Sequence, residues 1–360
     1  MAQSRPDHRC ASEGNQLRII KMRTWFVGRA LGSMLLFSSA AIAEDPKFEF
    51  LGFAQPTGEH VESDDGIAFG ADRIRLRGVY EIQKFSVGLM LDLNAGDLDA
   101  RAPGTLPNVI ADAFVAYRFD SKHQLKLGQF KTPVGLDFNT SGQALHITKR
   151  GMEAGLVLAR DLGLMLSGRK IGAGFGYDVG MFNVAGRSLA TEHLQDQVGD
   201  ANAWAARVLY DTGPWHLQAA YGVSEEAGGT NSENYRVFNV SGSYTNGPWT
   251  AVLEWIDGDH VRGEIDRNER VAYAHLGYRV SPSVEFVARH YDGESRVSGL
   301  TTDLGNTFLG ANVEVFKNEN SEGRLQLNYL IIGGNAGAYT GVRAFRSDAV
   351  LIQFQWLVRR

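Results

Sequence analysis

The chain has 360 residues, a mean hydropathy of −0.20 and one cysteine, Cys10. After Ala43 it contains no apolar run of the ~18 residues that a membrane helix requires, which excludes a helical membrane protein. Lys and Arg number 36 against 41 Asp and Glu; setting aside the six basic and two acidic residues of positions 1–43 leaves 30 against 39, a net charge of −9. Such a balance argues against nucleic acid as a partner.

The first element is an export signal. Met22–Arg29 is a basic leader, Ala30–Ala40 is apolar, and Ala41-Ile42-Ala43 is an A-x-A cleavage site before Glu44. Positions 1–21 are polar and do not fit a signal peptide, so Met22 reads as the true start. Residues 1–43 are therefore expected to be an N-terminal extension plus signal peptide, cleaved after Ala43. An anchoring helix over 25–43 is disfavoured by the short apolar core. Cys10 lies in the removed part, so the mature chain has no thiol or disulfide chemistry.

From residue 44 the pattern has a period of two. Arg73, Arg75 and Arg77 share one face of a segment, and Ile74, Leu76 and Tyr80 share the other. In the next, Phe85, Val87, Leu89, Leu91 and Leu93 alternate with Ser86, Gly88, Met90, Asp92 and Asn94. The last segment puts Val350, Ile352, Phe354, Trp356 and Val358 on one face and Ala349, Leu351, Gln353 and Gln355 on the other. A membrane barrel strand needs only ~9–11 residues and alternates lipid-facing with lumen-facing positions, so its hydropathy averages out.

Connections between segments are of two kinds. Short ones are expected near 82–84, 120–122, 170–172, 212–214, 246–248, 281–283 and 318–323. Long polar ones are expected near 56–68, 95–108, 132–160, 185–201, 225–233, 258–268, 293–303 and 334–345. Seven short and eight long connections make sixteen strands. The fold class is all-β: a transmembrane antiparallel up-and-down β-barrel of about sixteen strands, with short periplasmic turns and long outer loops, forming one domain over 44–360. Tyr210–Trp215 and Tyr244–Trp249 are near copies. In each, Gly-Pro supplies the turn, and Tyr and Trp flank it where an aromatic girdle meets lipid headgroups.

An arginine facing lipid costs roughly 2–4 kcal/mol at the midplane, so Arg73, Arg75 and Arg77 must face the lumen or a rim. The same reasoning turns Arg118, Lys126, Arg169, Arg207, Arg279 and Arg289 inward, together with Asp112, Glu254 and Glu285. Acidic residues concentrate in the long connections: Glu59, Glu62, Asp64 and Asp65; Glu225, Glu226 and Glu233; Asp257, Asp259, Glu264, Asp266 and Glu269. Two interpretations stay open. The basic wall conducts anions, or its arginines balance lumen carboxylates and stiffen the wall.

Three segments carry a family resemblance. Lys126–Asp137 (KLGQFKTPVGLD), Arg160–Gly168 (RDLGLMLSG) and Tyr177–Asn183 (YDVGMFN) resemble, in order and spacing, the signature of the phosphate-selective porins of types O and P. The Gly-x-Gly that usually follows in that family is here Val184-Ala185-Gly186, a partial match. The resemblance implies a sixteen-stranded trimeric barrel in a Gram-negative outer membrane, whose third long loop folds inward to narrow the pore. That loop is 132–160, so His146, Lys149, Arg150 and Arg160 are expected at a basic constriction. By position, Arg73, Arg75, Arg77, Lys126 and Lys131 become candidates for the anion path, with Lys131 at the mouth of the loop. The partners implied are small hydrophilic solutes or inorganic anions, phosphate among them, and outer-membrane lipid. A non-selective or cation-preferring pore is the alternative.

No P-loop, HExxH or paired-cysteine metal site occurs, and no cofactor or metal is expected. The alternate glycines of Gly172–Gly176 fall within a strand, where they suit bending. A barrel hydrolase would need Ser, His and Asp or Asn in contact. His275 and His290 lie on strands with no nucleophile motif beside them, so no catalytic residue is assigned.

Overall fold

The computed structural model describes residues 45–63, 66–94, 109–183, 202–225, 233–334 and 347–360. The expected export signal lies outside these residues, and its cleavage after Ala43 stands as a proposal. Sixteen strands follow in chain order: β1 (Lys47–Val61), β2 (Ile67–Ile82), β3 (Phe85–Asp92), β4 (Ile110–Arg118), β5 (His123–Lys131), β6 (Arg160–Ile171), β7 (Phe175–Phe182), β8 (Ala203–Thr212), β9 (Trp215–Ser224), β10 (Tyr235–Asn246), β11 (Trp249–Asp259), β12 (Arg267–Ser281), β13 (Val284–Val297), β14 (Leu300–Lys317), β15 (Ser321–Gly334) and β16 (Ala349–Arg359). Each pairs antiparallel with its sequence neighbours. β1 also pairs with β16, Leu51 opposite Arg359 and Val61 opposite Ala349, so the sheet closes on itself without an edge. Two one-turn helices, α1 (Leu136–Asn139) and α2 (Glu153–Leu156), lie between β5 and β6.

The period-two pattern maps onto the two faces of this wall. On β3, Phe85, Val87 and Leu89 are exposed and Ser86 and Asp92 buried. On β2, Ile74 and Leu76 are exposed while Arg73 and Arg75 are buried within. On β16, Val350, Ile352 and Trp356 alternate with buried Leu351, Gln353 and Gln355. The seven short connections form one rim. In the two copied turns Gly213 and Gly247 take φ of 53° and 55°, the left-handed region that a side chain resists. They join Thr212 to Trp215 and Asn246 to Trp249. Trp215 then stacks on Tyr244 and Trp249 on Tyr278, with ring centroids 4.6 and 4.4 Å apart. Phe175 and Tyr210 continue the band at 4.7 Å.

Two connections expected to be long are strand instead. Between 56 and 68 the β1–β2 ladder continues past Pro56, because a β-bulge shifts the register by one at Gln55/Pro56 and absorbs the residue without an N–H. At 293–303, β13 and β14 run on to a two-residue turn, Ser298-Gly299, with both φ positive. Beyond the lipid both faces of a ladder are wet, so apolar alternation stops while the hydrogen bonding continues. Glu59 and Glu269 consequently sit on strands rather than in loops.

The barrel is not hollow. Val134, Ile147, Met152, Leu156 and Val157 are buried against Val237, Ile256, Val271, Tyr291, Phe308 and Leu330 of the wall. The segment between β5 and β6 is therefore folded into the lumen.

Candidate functional site

This inward segment spans 132–159. Pro133 ends β5, and Thr132 N–H donates to Ala159 C=O at 3.0 Å to close the neck. A backbone placed inside a barrel must find partners for its polar groups. The wall supplies them. Glu254 on β11 accepts the N–H groups of Leu136 and Asp137 at 2.6 and 3.0 Å, satisfying the first turn of α1. Arg289 on β13, 1% exposed, donates to the Asp137 carboxylate at 3.0 Å and lies over the Tyr273 ring at 4.4 Å. Arg150 donates to the carbonyls of Asp137 and Thr140 at 3.0 and 2.6 Å, with the Asp137 carboxylate 3.3 Å away. Burial works to raise the Asp137 carboxyl, but Arg289 and Arg150 outweigh it and hold that carboxyl below its usual range.

Side-chain amides hold the far end. Gln55 donates to Gly142 C=O at 3.1 Å, Gln355 to Gln143 C=O at 3.2 Å, Gln326 to Leu145 C=O at 3.2 Å and Asn312 to His146 C=O at 3.0 Å. Asn328 accepts Thr148 N–H at 2.9 Å, and Arg324 donates to Gln143 C=O at 2.8 Å. An amide offers both a donor and an acceptor, so it can match either side of a peptide unit. These anchors come from β1, β11 and β13 to β16.

The basic residues singled out from sequence divide by partner. Arg75 pairs with Asp92 at 2.6 Å and Arg160 with Asp112 at 2.7 Å. Arg73 donates to Gln55 at 2.9 Å. Arg118 reaches Glu81 at 3.5 Å near the short-turn rim. Lys149 pairs with Glu59, and His146 stacks on His275 at 4.8 Å with Glu285 3.9 Å away. Lys131 donates to the carbonyls of Phe138 and Thr140, so it fastens the loop instead of standing free at its mouth.

The remaining cations are less compensated. Asp178 on β7 serves two arginines at once, Arg169 and Arg207, both at 2.7 Å. Lys126 makes no ion pair among the described residues. Its ammonium lies 4.6 and 5.2 Å from the ring centroids of Phe114 and Phe130. Arg77 is exposed, and no ion pair involves it among the described residues. These groups lie on β2 and β5 to β8, whereas the loop's anchors sit mainly on β11 to β16.

Sequence reasoning turned Glu254 and Arg289 inward but missed the amides. Their signal was present: Gln326 with Asn328, and Gln353 with Gln355, are uncharged polar pairs on one face of a strand. Neither strand histidine has a serine partner. His275 nitrogens have no hydrogen bond, and His290, facing outward, bonds Thr307 at 2.8 Å. Among the described residues no cluster of three or more His, Cys, Asp or Glu is placed to hold a metal.

Residues 126–298 match a family model described as Gram-negative porin, and residues 52–188 one described as phosphate-selective porin O and P. No curated protein matches the chain. Among solved structures, the trimer form of OmpT, an outer membrane protein of Vibrio cholerae, superposes with a TM-score of 0.60 at 13% identity, over 88% of this chain and 100% of that one. An anion-selective porin from Comamonas acidovorans gives 0.57 at 13% identity, with 88% and 100% covered. Salmonella typhi OmpF, solved with daunomycin, gives 0.62 at 11% identity, with 87% and 97% covered. At these identities the likeness is one of fold.

Proposed function

We propose that this chain, an outer-membrane barrel matching the Gram-negative porin model over 126–298 and the phosphate-selective porin O and P model over 52–188, is a channel that prefers small anions. One observation carries this preference. On β2 and β5 to β8, positive groups exceed the carboxylates that pair with them: Arg169 and Arg207 share Asp178, while Lys126 and, beside Arg359 and Arg360, Arg77 stand without an ion pair among the described residues. A water-filled passage edged by uncompensated cations concentrates anions and repels cations. Solutes diffuse down their gradient, with selectivity set at the narrowing made by 132–159. No covalent step and no cofactor enters. Phosphate is the inorganic anion to try first.

A homotrimer is part of the proposal. It is supported by the fold shared with an outer membrane protein of Vibrio cholerae solved in a trimer form.

Reversal potential in a planar bilayer under a KCl gradient tests the preference. Wild type is expected to favour chloride, and phosphate to reduce the current. Lys126→Gln removes one positive charge and should lower the anion-to-cation permeability ratio by roughly twofold, fading at high salt as screening grows. A reversal potential of the cation-selective sign in wild type would overturn the proposal and leave a channel governed by its acidic outer rim.

A further inference from the structure

Where the loop meets the wall, five charged side chains are buried together. Asp137 on α1, Glu153 on α2 and Arg150 between them face Glu254 on β11 and Arg289 on β13, with the hydroxyls of Tyr273 on β12 and Tyr291 on β13 alongside. Three carboxyls thus face two guanidiniums. A third cation, Lys131, reaches the cluster only at the Thr140 carbonyl that Arg150 also bonds, and makes no ion pair with these carboxyls.

Hydrogen bonding distinguishes the three carboxyls. Glu254 accepts three N–H groups, from Leu136, Asp137 and Asn239, at 2.6, 3.0 and 2.9 Å, the pattern of an ionised carboxylate. Asp137 accepts from Arg289 at 3.0 Å and lies 3.3 Å from Arg150. Glu153, 1% exposed, accepts the N–H of Gly151 at 3.0 Å and has no ion pair among the described residues. Its Oε2 is buried with no hydrogen-bond donor among the described residues, and its side chain is within hydrogen-bonding reach of Asp137, whose Oδ2 has Arg150 Nε 3.3 Å away. A buried carboxyl beside a second carboxylate, with no cation of its own, is favoured as the neutral acid, which can donate to Asp137. Burial, and then the charge of Asp137, push the Glu153 carboxyl up to about 8, in agreement with this placement.

We propose that Glu153 is a positioning residue whose carboxylic-acid proton, donated to Asp137, latches the constriction loop to the β11–β13 wall and is released in mild alkali. On release the pair becomes two adjacent carboxylates, the cluster gains an uncompensated negative charge, and the loop detaches reversibly. The inference rests on the channel function proposed above, because loop movement is read as channel gating.

Single-channel recording of the refolded protein from pH 6 to pH 9.5 tests it. Wild type should conduct steadily at pH 6 and show at least about tenfold more frequent closures at pH 9.5. Glu153→Gln keeps a donor for Asp137 and cannot ionise, so its closures should stay at the pH 6 level throughout. Infrared pH-difference spectra of wild type need no variant: a buried protonated-carboxyl C=O band present at pH 6 should disappear by pH 9.5. A closure frequency flat with pH in wild type, an unchanged rise in Glu153→Gln, or absence of that infrared loss would each overturn the latch. Failure to conduct even at pH 6 would instead overturn the channel function, and the infrared result would still decide the proton.

Discussion

Replacing Arg289 by Met tests whether charge holds the loop in the lumen. The substitution keeps an unbranched stem against the Tyr273 ring but removes the bonds to Asp137 and Tyr291, both 3.0 Å long. Breaking a buried ion pair by deleting one partner costs ~3–5 kcal/mol, because the survivor is left uncompensated. Arg150 remains 3.3 Å from Asp137, which points to the lower end, about 3 kcal/mol. At 1.4 kcal/mol per factor of ten, the released loop becomes roughly 10²-fold more populated. Trypsin reports this directly, since Lys149 is tied to Glu59 and Arg150 is buried in the latched state. Cleavage of a transiently opened segment follows its population when closing is fast. Arg289→Met should therefore be cut after Lys149 or Arg150 roughly 10²-fold faster, with the barrel itself still heat-modifiable on gels. A rate within about threefold of wild type, on an intact barrel, would refute the reasoning. The loop would then be held by the apolar contacts of Val134, Ile147 and Leu156. Pairing Arg289→Met with Asp137→Asn should recover more than about 1 kcal/mol, since the second change removes the stranded charge.

Two further predictions concern other parts of the fold. A Cβ on Gly151 would lie 2.5 Å from the Tyr291 ring and 2.9 Å from Glu153 Oε2, so Gly151→Ala should displace the loop at a cost of about 1–3 kcal/mol and raise tryptic cleavage likewise. In the short turn after β4, the Asp120 carboxyl is pulled down to about 2 by its bond to the His123 ring and by the N–H groups of Lys122 and His123. A depressed acid stabilises above its ordinary range and loses that contribution as pH falls through the folded value. Asp120→Asn should therefore lower thermal stability at pH 7, and the gap should close as pH falls through about 2.

What the sequence could reveal depended on where lipid imposes an alternation. Phe85, Val87 and Leu89 announce β3 because every second side chain meets hydrocarbon, and the short turns between such runs fix the strand count. Beyond the lipid the signal fails. β13 and β14 extend through Asp292, Glu294, Asp303 and other polar residues that look like loop, and Pro56 looks like a strand end although a bulge carries the ladder past it. The site was less legible still. Period two turns a lysine or arginine inward but says nothing of what it meets there. Lys131, a candidate for the anion path, holds loop carbonyls, while Arg75 and Arg160 meet carboxylates on the adjacent strand and the next but one. Partners such as Gln55 and Gln355, 300 residues apart, are set by closure of the ring and leave no local trace.

That ring closure also dictates how the molecule can be assembled. Until β1 and β16 meet, the sheet has two live edges of unpaired peptide groups, the form in which chains add to one another. Bringing together segments 300 residues apart costs about 5 kcal/mol of chain entropy, with no return until the final ladder zips. Growth from one end cannot finish the structure, because the first strand waits for the last. Productive folding therefore requires both edges to be shielded through the whole interval, and a β16 weakened at Leu351 or Leu357 would lengthen the exposure of Lys47–Val61 at the far end of the chain. The same geometry works in reverse once closed: every strand is paired on both sides, so loss of the barrel must begin by parting one of its ladders.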